Sequence, residues 1–285
     1  MSHIRIFVLT SLAMLAFAGN SLLCRLALKH TSIDPASFTA IRLVGGALML
    51  WLVVTMKRSV LVHATTKVGG GNWLSAFALF VYAAGFSFAY VSLSAATGAL
   101  LLFGAVQATM IGHGMWAGER LRSLQLVGLL LAFAGLLSLL LPGLSAPPLL
   151  GSALMLSAGL AWGLYSLRGK GAGDPTLVTA GNFLRAVPMA LALSLLMLNN
   201  RSMDALGLGY ALASGALASG VGYAIWYTAL PGLKATQAAT VQLSVPVLAA
   251  LGGIVFLGEV LTLRLIVASV AILGGIALVI LERRH

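Results

Sequence analysis

Ten apolar stretches of about twenty residues follow one another along the chain, and they restrict it to one class of fold. Such stretches fit α-helices that cross a hydrocarbon core of about 30 Å, whereas strands of a membrane barrel need about ten alternating residues. Only 8% of the residues are charged and the mean hydropathy is +1.04, which excludes an ordinary soluble domain. We therefore expect an all-α integral membrane protein with ten transmembrane helices. The predicted helices are Ile4–Leu28, Ala36–Met56, Asn72–Leu93, Ala95–Ala117, Leu121–Leu141, Leu149–Leu167, Thr176–Leu198, Leu206–Leu230, Ala235–Leu257 and Leu261–Leu281.

Two short sequence signals recur at an offset of 140 residues. Asp-Pro precedes a predicted helix at Asp34 and again at Asp174, and Gly-Glu-x-Leu begins at Gly118 and again at Gly258. A constant offset indicates an internal repeat.

A segment rich in proline and glycine, Pro-Gly-Leu-Ser-Ala-Pro-Pro at 142–148, separates the two copies. The predicted repeats are residues 1–143 and residues 144–285, which together form one membrane domain. Each contains five predicted helices, and because five is odd, the second repeat enters the membrane from the opposite side. Inverted repeats of this kind are typical of secondary transporters, which bind substrate near the midplane.

Lysine and arginine are distributed unevenly between the predicted loops. With the N-terminus inside, eleven lie in inner segments and four in outer ones, and such an excess marks the cytoplasmic side. Both termini are therefore predicted to be cytoplasmic, in a bacterial inner membrane. The net charge of +11 is explained by this topology, so no nucleic-acid partner is expected. The expected partners are lipid and a small-molecule substrate, and a monomer suffices.

Carboxylates are missing from the predicted membrane interior. All six acidic residues fall at helix ends or in loops, namely Asp34, Glu119, Asp174, Asp204, Glu259 and Glu282. Proton-coupled carriers usually place a titratable group inside the membrane, so facilitated transport or exchange is favoured. His113 is the alternative titratable group, although it lies near the inner end of helix four and an interfacial hydrogen bond is its simpler explanation.

Aromatic residues recur with helical spacing in three predicted helices. Those near the midplane are expected to line a substrate pocket, because hydroxyl and indole groups on an aromatic wall suit a largely apolar metabolite. The pocket residues are Tyr82, Phe86, Trp162, Tyr165 and Tyr223. Tyr90, Trp226 and Tyr227 lie near helix ends and are expected to be anchors at the membrane interface.

Amides and arginines inside predicted helices need partners, because hydrocarbon offers none. Asn20, Gln107 and Gln242 are predicted to bind substrate, with interhelical hydrogen bonds as the alternative. Arg42 and Arg185 occupy corresponding helices of the two repeats. Each is a candidate to attract an anionic group, to bond carbonyls, or to extend its side chain to the interface.

Small residues in helix eight are spaced four apart and end at Gly215 and Ser219, which predicts close helix packing near a widening cavity. Pro246 removes a backbone hydrogen bond within helix nine and is a predicted hinge. These residues, with Arg42 and Arg185, are the candidate gating or structural positions.

Several dispersed motifs resemble the drug/metabolite transporter superfamily of the EamA type over essentially the whole chain. They are Ala18-Gly19-Asn20-Ser21, Arg42-Leu43, Gly118-Glu119-Arg120-Leu121, Leu160-Ala161-Trp162-Gly163-Leu164-Tyr165, Leu243-Ser244-Val245-Pro246-Val247 and Gly258-Glu259. The family often has a proline midway along helix four, where this chain has Val106, so the two halves are expected to bend differently.

The resemblance implies alternating-access transport of a small molecule, often export of amino acids, and some relatives are similar to aromatic amino-acid exporters. Carriers of nucleobases, drug-like molecules or other metabolites are the alternative. An intramembrane enzyme is disfavoured because the usual metal-protease and serine-hydrolase motifs are missing from the sequence. No catalytic residue, metal or cofactor is expected.

Overall fold

A computed structural model describes residues 3–60, 70–118, 122–143, 146–169, 174–233 and 241–282. These residues form helices and connecting segments and contain no β-strand, which confirms the all-α prediction for this part of the chain. The helices are α1 (His3–His30), α2 (Pro35–Val60), α3 (Trp73–Tyr90), α4 (Ala95–Trp116), α5 (Ser123–Leu140), α6 (Leu149–Gly169), α7 (Pro175–Leu196), α8 (Ala205–Gly232), α9 (Ser244–Leu257) and α10 (Leu263–Glu282).

Nine of the described helices are long and apolar enough to cross a membrane. The other, α9, has 14 residues and covers the second part of the predicted helix Ala235–Leu257; residues 241 and 242 are also helical. Residues 234–240 lie outside the described residues, as do three other predicted features: the Glu-Arg-Leu part of the first Gly-Glu-x-Leu signal, residues 144 and 145 of the central segment, and most of the basic loop after α2.

Aspartates cap three helices at their N-termini. The Asp34 carboxylate accepts hydrogen bonds from the backbone N–H groups of Ala36 and Ser37 at 3.0 and 2.9 Å. The Asp174 carboxylate accepts the corresponding bonds from Thr176 and Leu177, and Asp204 caps α8 in the same way. Each carboxylate thus satisfies N–H groups that have no partner inside the helix, and each Asp-Pro signal marks a helix start.

α8 differs from its prediction as one regular helix. Its α-helical parts, Ala205–Ala213 and Gly222–Ala229, flank a π-helical stretch at Ser214–Val221, and a short 3-10 turn, Leu230–Gly232, ends it. The π-helical stretch packs on α2 and α1. A π-helical stretch shifts the direction of the following side chains and often lies at a functional site.

The helices form a central group with one peripheral pair. α1 packs on α8 and α9, α6 packs on α3 and α4, and α2 packs on α7. α5 and α10 pack mainly on each other, where a side chain at Gly128 would collide with the backbone carbonyl of Gly275. The described helices begin and end at the two ends of the bundle, named here the Asp34 end and the Asp174 end after the helix caps at each.

Candidate functional site

A chain of hydrogen bonds links four helices in the middle of the bundle. The Tyr82 hydroxyl oxygen accepts hydrogen bonds from Arg42 Nη2 at 3.0 Å and from Asn20 Nδ2 at 3.3 Å. The Ser214 hydroxyl donates to Asn20 Oδ1 at 2.6 Å. All four residues are buried. α1, α2, α3 and the π-helical stretch of α8 therefore meet at one polar chain.

This network has more donors than acceptors. A phenolic oxygen has two acceptor positions and one O–H. Both acceptor positions of Tyr82 are taken by Arg42 and Asn20, so its own O–H is left to donate. Tyr82 and Asn20 both line a central cavity of about 20 Å³, which is space for about one water molecule.

An aromatic cluster surrounds the same cavity. The ring of Trp162 lies 4.8 Å from that of Tyr82, 5.1 Å from that of Tyr223 and 5.4 Å from that of Tyr165, measured between centroids. Phe86 packs on Tyr82 at 5.5 Å, and Phe17 meets Tyr223 edge to face at 5.8 Å. Such a wall of rings suits flat or apolar groups. The residues lining the cavity are Phe17, Asn20, Ser21, Tyr82, Phe86, Leu102, Phe103, Trp162, Ala218 and Tyr223.

Arg42 is buried beside this cluster. Its side chain does not reach the interface, since only 2% of the residue is exposed. The guanidinium carbon lies 4.8 Å from the Phe86 ring centre and 5.1 Å from that of Tyr82, within the range of cation–π attraction. Its Nη1 atom is buried and has no hydrogen-bond partner among the described residues.

Arg185 has a different environment near the Asp174 end. Its Nη1 donates to the carbonyls of Gly70 and Gly181, each at 2.9 Å. The guanidinium is thus bound to backbone oxygens and lies away from the cavity lining. Although the two arginines lie in corresponding helices, only Arg42 joins the central network.

A second polar cluster, not predicted from the sequence, ties α3, α6 and α7 at the Asp174 end. Asn182 accepts a hydrogen bond from the Asn72 N–H at 2.9 Å and donates to the Tyr165 hydroxyl at 3.4 Å. Arg168 donates to the Ser75 hydroxyl and to Asn72 Oδ1. Asn182 follows Arg42 by 140 residues, so the repeat offset would have drawn attention to it.

A third cluster holds the Asp34 end together. Arg25 Nε lies 3.2 Å from Glu259 Oε1, and Arg25 Nη1 donates to the carbonyls of Tyr90 and Val91. The other Glu259 oxygen accepts the N–H of Ala95 at 2.8 Å. The ion pair therefore joins α1 to the start of α4 and to the segment that follows α9.

Other predicted site residues lie outside the cavity lining. Gln107 is buried, and its Nε2 has no partner among the described residues. Gln242 is half-buried and makes polar or electrostatic contact. Ser219 is buried in the π-helical stretch, where its hydroxyl has no partner in the described part of the chain. Pro246 lies two residues after the start of α9 and lines an apolar groove.

Two predicted interface anchors are instead buried residues. Tyr90 is 0% exposed, packs on Phe86 at 4.7 Å and donates its hydroxyl to the Ala95 carbonyl. Trp226 is 8% exposed and packs on Phe17 at 6.0 Å. The prediction was wrong for both because proximity to a helix end does not determine which way the side chain points. His113 is exposed near the end of α4 at the Asp174 end.

Sequence reasoning missed Phe17, which lines the cavity, and Ser214, which belongs to the hydrogen-bonded chain. Phe17 belongs to a long apolar run that gives no reason to single it out. Ser214 lies within a run of small residues, and its partner Asn20 is 194 residues away in the sequence. Among the described residues no group of three histidine, cysteine or acidic side chains could hold a metal ion.

The amino-acid sequence of this chain is similar to those of known transporters. Residues 149–281 match the model of the EamA-like transporter family. An uncharacterized protein of Pseudomonas aeruginosa is 61% identical over 98% of this chain and 96% of its own length. An uncharacterized transporter of Archaeoglobus fulgidus is 26% identical, covering 74% and 76% of the two chains.

The threonine/homoserine exporter RhtA of Escherichia coli K12 is 35% identical over 162 residues, which are 54% of each chain. This chain therefore aligns with about half the length of that exporter. A crystal structure of a protein with 19% sequence identity superposes over 100% of both chains with a TM-score of 0.68. At that level of identity the similarity shows a shared fold.

Proposed function

Since this chain belongs to the EamA-like transporter family, and is therefore a membrane transporter rather than an enzyme, we propose that it exports amino acids or related small metabolites by alternating access. Aromatic or other neutral amino acids are the favoured cargo. The observation that carries the proposal is the central cavity, where the hydroxyl and amide groups of Tyr82 and Asn20 face an aromatic wall. The named activity of the threonine/homoserine exporter supports both the cargo class and the outward direction.

The architecture in this proposal is ten crossings in two inverted repeats, residues 1–143 and 144–285. Matched local structure supports it. Asp34 and Asp174 cap helices in the same way, and Gly118 and Gly258 both have positive φ angles of 92° and 61° where a helix ends. The packing of α1 on α8 and α9 also corresponds to that of α6 on α3 and α4. The tenth crossing in this proposal is the predicted helix Ala235–Leu257, whose described part includes α9.

The proposed location is the bacterial inner membrane with both termini in the cytoplasm, so that the Asp34 end is outside. A single cysteine at exposed Asn199, in a chain with Cys24 replaced by serine, is expected to react with a membrane-impermeant maleimide in intact cells. A cysteine at exposed Ala117 is expected to react only after permeabilisation. The reverse pattern would invert the orientation.

The described acidic side chains favour exchange over proton coupling. Asp34, Asp174 and Asp204 cap helices, and Glu259 pairs with Arg25. None of these four carboxylates lines the cavity. A carrier without a titratable group at its substrate site is not expected to need a proton gradient.

Flux in proteoliposomes tests the proposal. Vesicles are loaded with one unlabelled amino acid, and entry of labelled phenylalanine, tryptophan, methionine or threonine is followed with and without a pH gradient. We expect exchange well above protein-free vesicles and little effect of the gradient. Trp162→Ala should lower the rate about tenfold or more, because the ring lines the cavity and packs on both Tyr82 and Tyr223. Trp51→Ala is the matched control, since Trp51 is exposed on the outside of the bundle.

One observation favours a nucleobase as the alternative cargo. The rings of Trp162 and Tyr165 are nearly parallel, with an interplanar angle of 28°, and a flat heterocycle could stack on such a pair. Exchange of labelled adenine or uracil without exchange of any amino acid would support this alternative and contradict amino-acid export.

A further inference from the structure

An aromatic pocket for neutral groups does not explain Arg42. This residue lies just outside the cavity lining, but its guanidinium bonds the Tyr82 hydroxyl and lies over the Phe86 ring, and both of those residues line the cavity. Moving a guanidinium out of water is costly, and buried cations are normally paired with an anion or fully hydrogen-bonded. Arg42 has one hydrogen bond, to the Tyr82 hydroxyl, and its Nη1 has no partner among the described residues. The described structure therefore leaves this charge uncompensated.

The described carboxylates are committed to other contacts. The nearest acidic residue along α2 is Asp34, eight positions away, or about 12 Å along the helix axis, and it caps the start of that helix. Glu259 pairs with Arg25 at the Asp34 end, and the other two described aspartates cap α7 and α8. The aromatic rings around Arg42 supply only cation–π attraction, which is weaker than an ion pair.

The polar groups beside Arg42 also point to an acceptor. The Tyr82 oxygen already accepts two hydrogen bonds, and Asn20 Oδ1 already accepts one from the Ser214 hydroxyl. The donors that remain are the O–H of Tyr82 and the N–H groups on Nη1 of Arg42. A group that fits here must accept hydrogen bonds and carry negative charge, which describes a carboxylate better than an amine or an amide.

We propose that Arg42 is the counter-ion for a carboxylate on the cargo, and that the Tyr82 hydroxyl, held by Arg42 and Asn20, donates the second hydrogen bond to it. The inference rests on the proposed transport function and deepens it by assigning the charge of the cargo. Phe17, Trp162 and Tyr223 then contact the uncharged remainder of the same molecule. The cavity of about 20 Å³ is too small for this cargo, so its aromatic wall must move apart on binding.

Thermal unfolding of the purified protein in detergent tests the proposal without relying on transport. The probes are phenylacetate and phenylacetamide, which differ in the carboxylate alone, with chloride and phosphate as inorganic anions. We expect phenylacetate to raise the Tm and to bind about tenfold or more tightly than phenylacetamide, since a charged hydrogen bond is lost in the amide. Equal shifts by both probes, or equal shifts by phenylacetate and the inorganic anions, would overturn the carboxylate assignment.

Arg42→Gln separates a binding role from a structural one. If Arg42 is an uncompensated counter-ion, the ligand-free variant should keep or raise its Tm, because a costly buried charge is removed, and phenylacetate should no longer stabilise it. A lower ligand-free Tm together with an undiminished phenylacetate shift would show a purely structural arginine. Arg201→Gln is the charge-matched control, because Arg201 is exposed at the Asp34 end, and it should behave like the unmodified protein.

The flux assay then distinguishes failure of the counter-ion role of Arg42 from failure of the proposed transport function. Amino-acid exchange that is unaffected by Arg42→Gln would overturn the counter-ion and leave the transport function standing. Absence of amino-acid exchange, with phenylacetate still stabilising the protein through Arg42, would overturn the cargo class and retain the carboxylate site.

Discussion

At the scale of the residue, the hydroxyl of Tyr82 joins three helices by hydrogen bonds. It accepts hydrogen bonds from Asn20 on α1 and from Arg42 on α2, and it belongs to α3. Removing one acceptor leaves two buried donors without partners, which costs more than the hydrogen bonds themselves contribute.

Tyr82→Phe is therefore expected to destabilise the protein by about 1–3 kcal/mol and to slow exchange, with the ring packing left intact. Thermal unfolding in detergent and vesicle flux give the two readouts. Tyr210→Phe is the control, because Tyr210 is half-buried on α8 and lies outside this network. An unchanged Tm for Tyr82→Phe would contradict the hydrogen bonds described here.

At the scale of the element, α8 approaches α2 at a glycine. A Cβ atom on Gly215 would overlap the backbone carbonyl of Arg42, so the two backbones are in direct contact. Backbone atoms cannot turn aside as a flexible side chain can. The contact also holds the π-helical stretch against the residue that bears the buried charge.

Gly215→Ala is expected to force α8 away from α2 and to lower stability by roughly 1–3 kcal/mol. Gly209→Ala, on the same helix, is the matched control because nothing lies within 4 Å of the added methyl group. That change should be neutral or slightly stabilising, since alanine favours the helix. Melting curves of the two variants check the difference, and equal Tm values would show that α8 has room to shift.

Hydropathy predicted the helices of the described chain because each apolar run must form its backbone hydrogen bonds internally. It did not predict the π-helical stretch of α8. A π-helix has about one residue more per turn than an α-helix, and a segment made of small apolar side chains shows no hydropathy pattern that could reveal the difference. The Asp-Pro signals performed better, because Asp34 and Asp174 act locally on the N–H groups that follow them.

The site was only partly predictable for the same reason. Four-residue spacing placed Tyr82 and Phe86 on one face of α3, and their rings do pack together. The bonds that join Asn20, Arg42 and Ser214 cross between helices distant in sequence, and nothing in one sequence encodes those contacts. Tyr90 and Trp226 were predicted as anchors from position alone, while the directions of their side chains depend on tertiary packing.

At the scale of the whole molecule, the Arg25–Glu259 pair closes the Asp34 end. Both side chains are largely buried, with 12% and 7% exposed, and Cys24 is fully buried beside Arg25 in the sequence. Breaking the pair leaves a charged group without its partner and favours conformations in which it meets water. Because Cys24 is the chain's only cysteine, its reactivity reports on this end directly.

Glu259→Ala is expected to make Cys24 react with a maleimide at least about tenfold faster than in the unmodified protein. The measurement is labelling in detergent below the melting temperature, and Arg201→Gln at the same end serves as the control. Slow labelling in Glu259→Ala, despite a lower Tm, would indicate that the pair contributes only to packing and not to opening.

The small central cavity has a consequence for the cell that carries this protein. An ion crosses a protein only along a continuous file of water or polar ligands, and a space for about one water molecule inside an aromatic cluster provides none. In this conformation the central cavity, within the part of the chain that the structure describes, is therefore not a conducting path for ions. A membrane could therefore hold many copies of this transporter without losing its voltage through the central cavity.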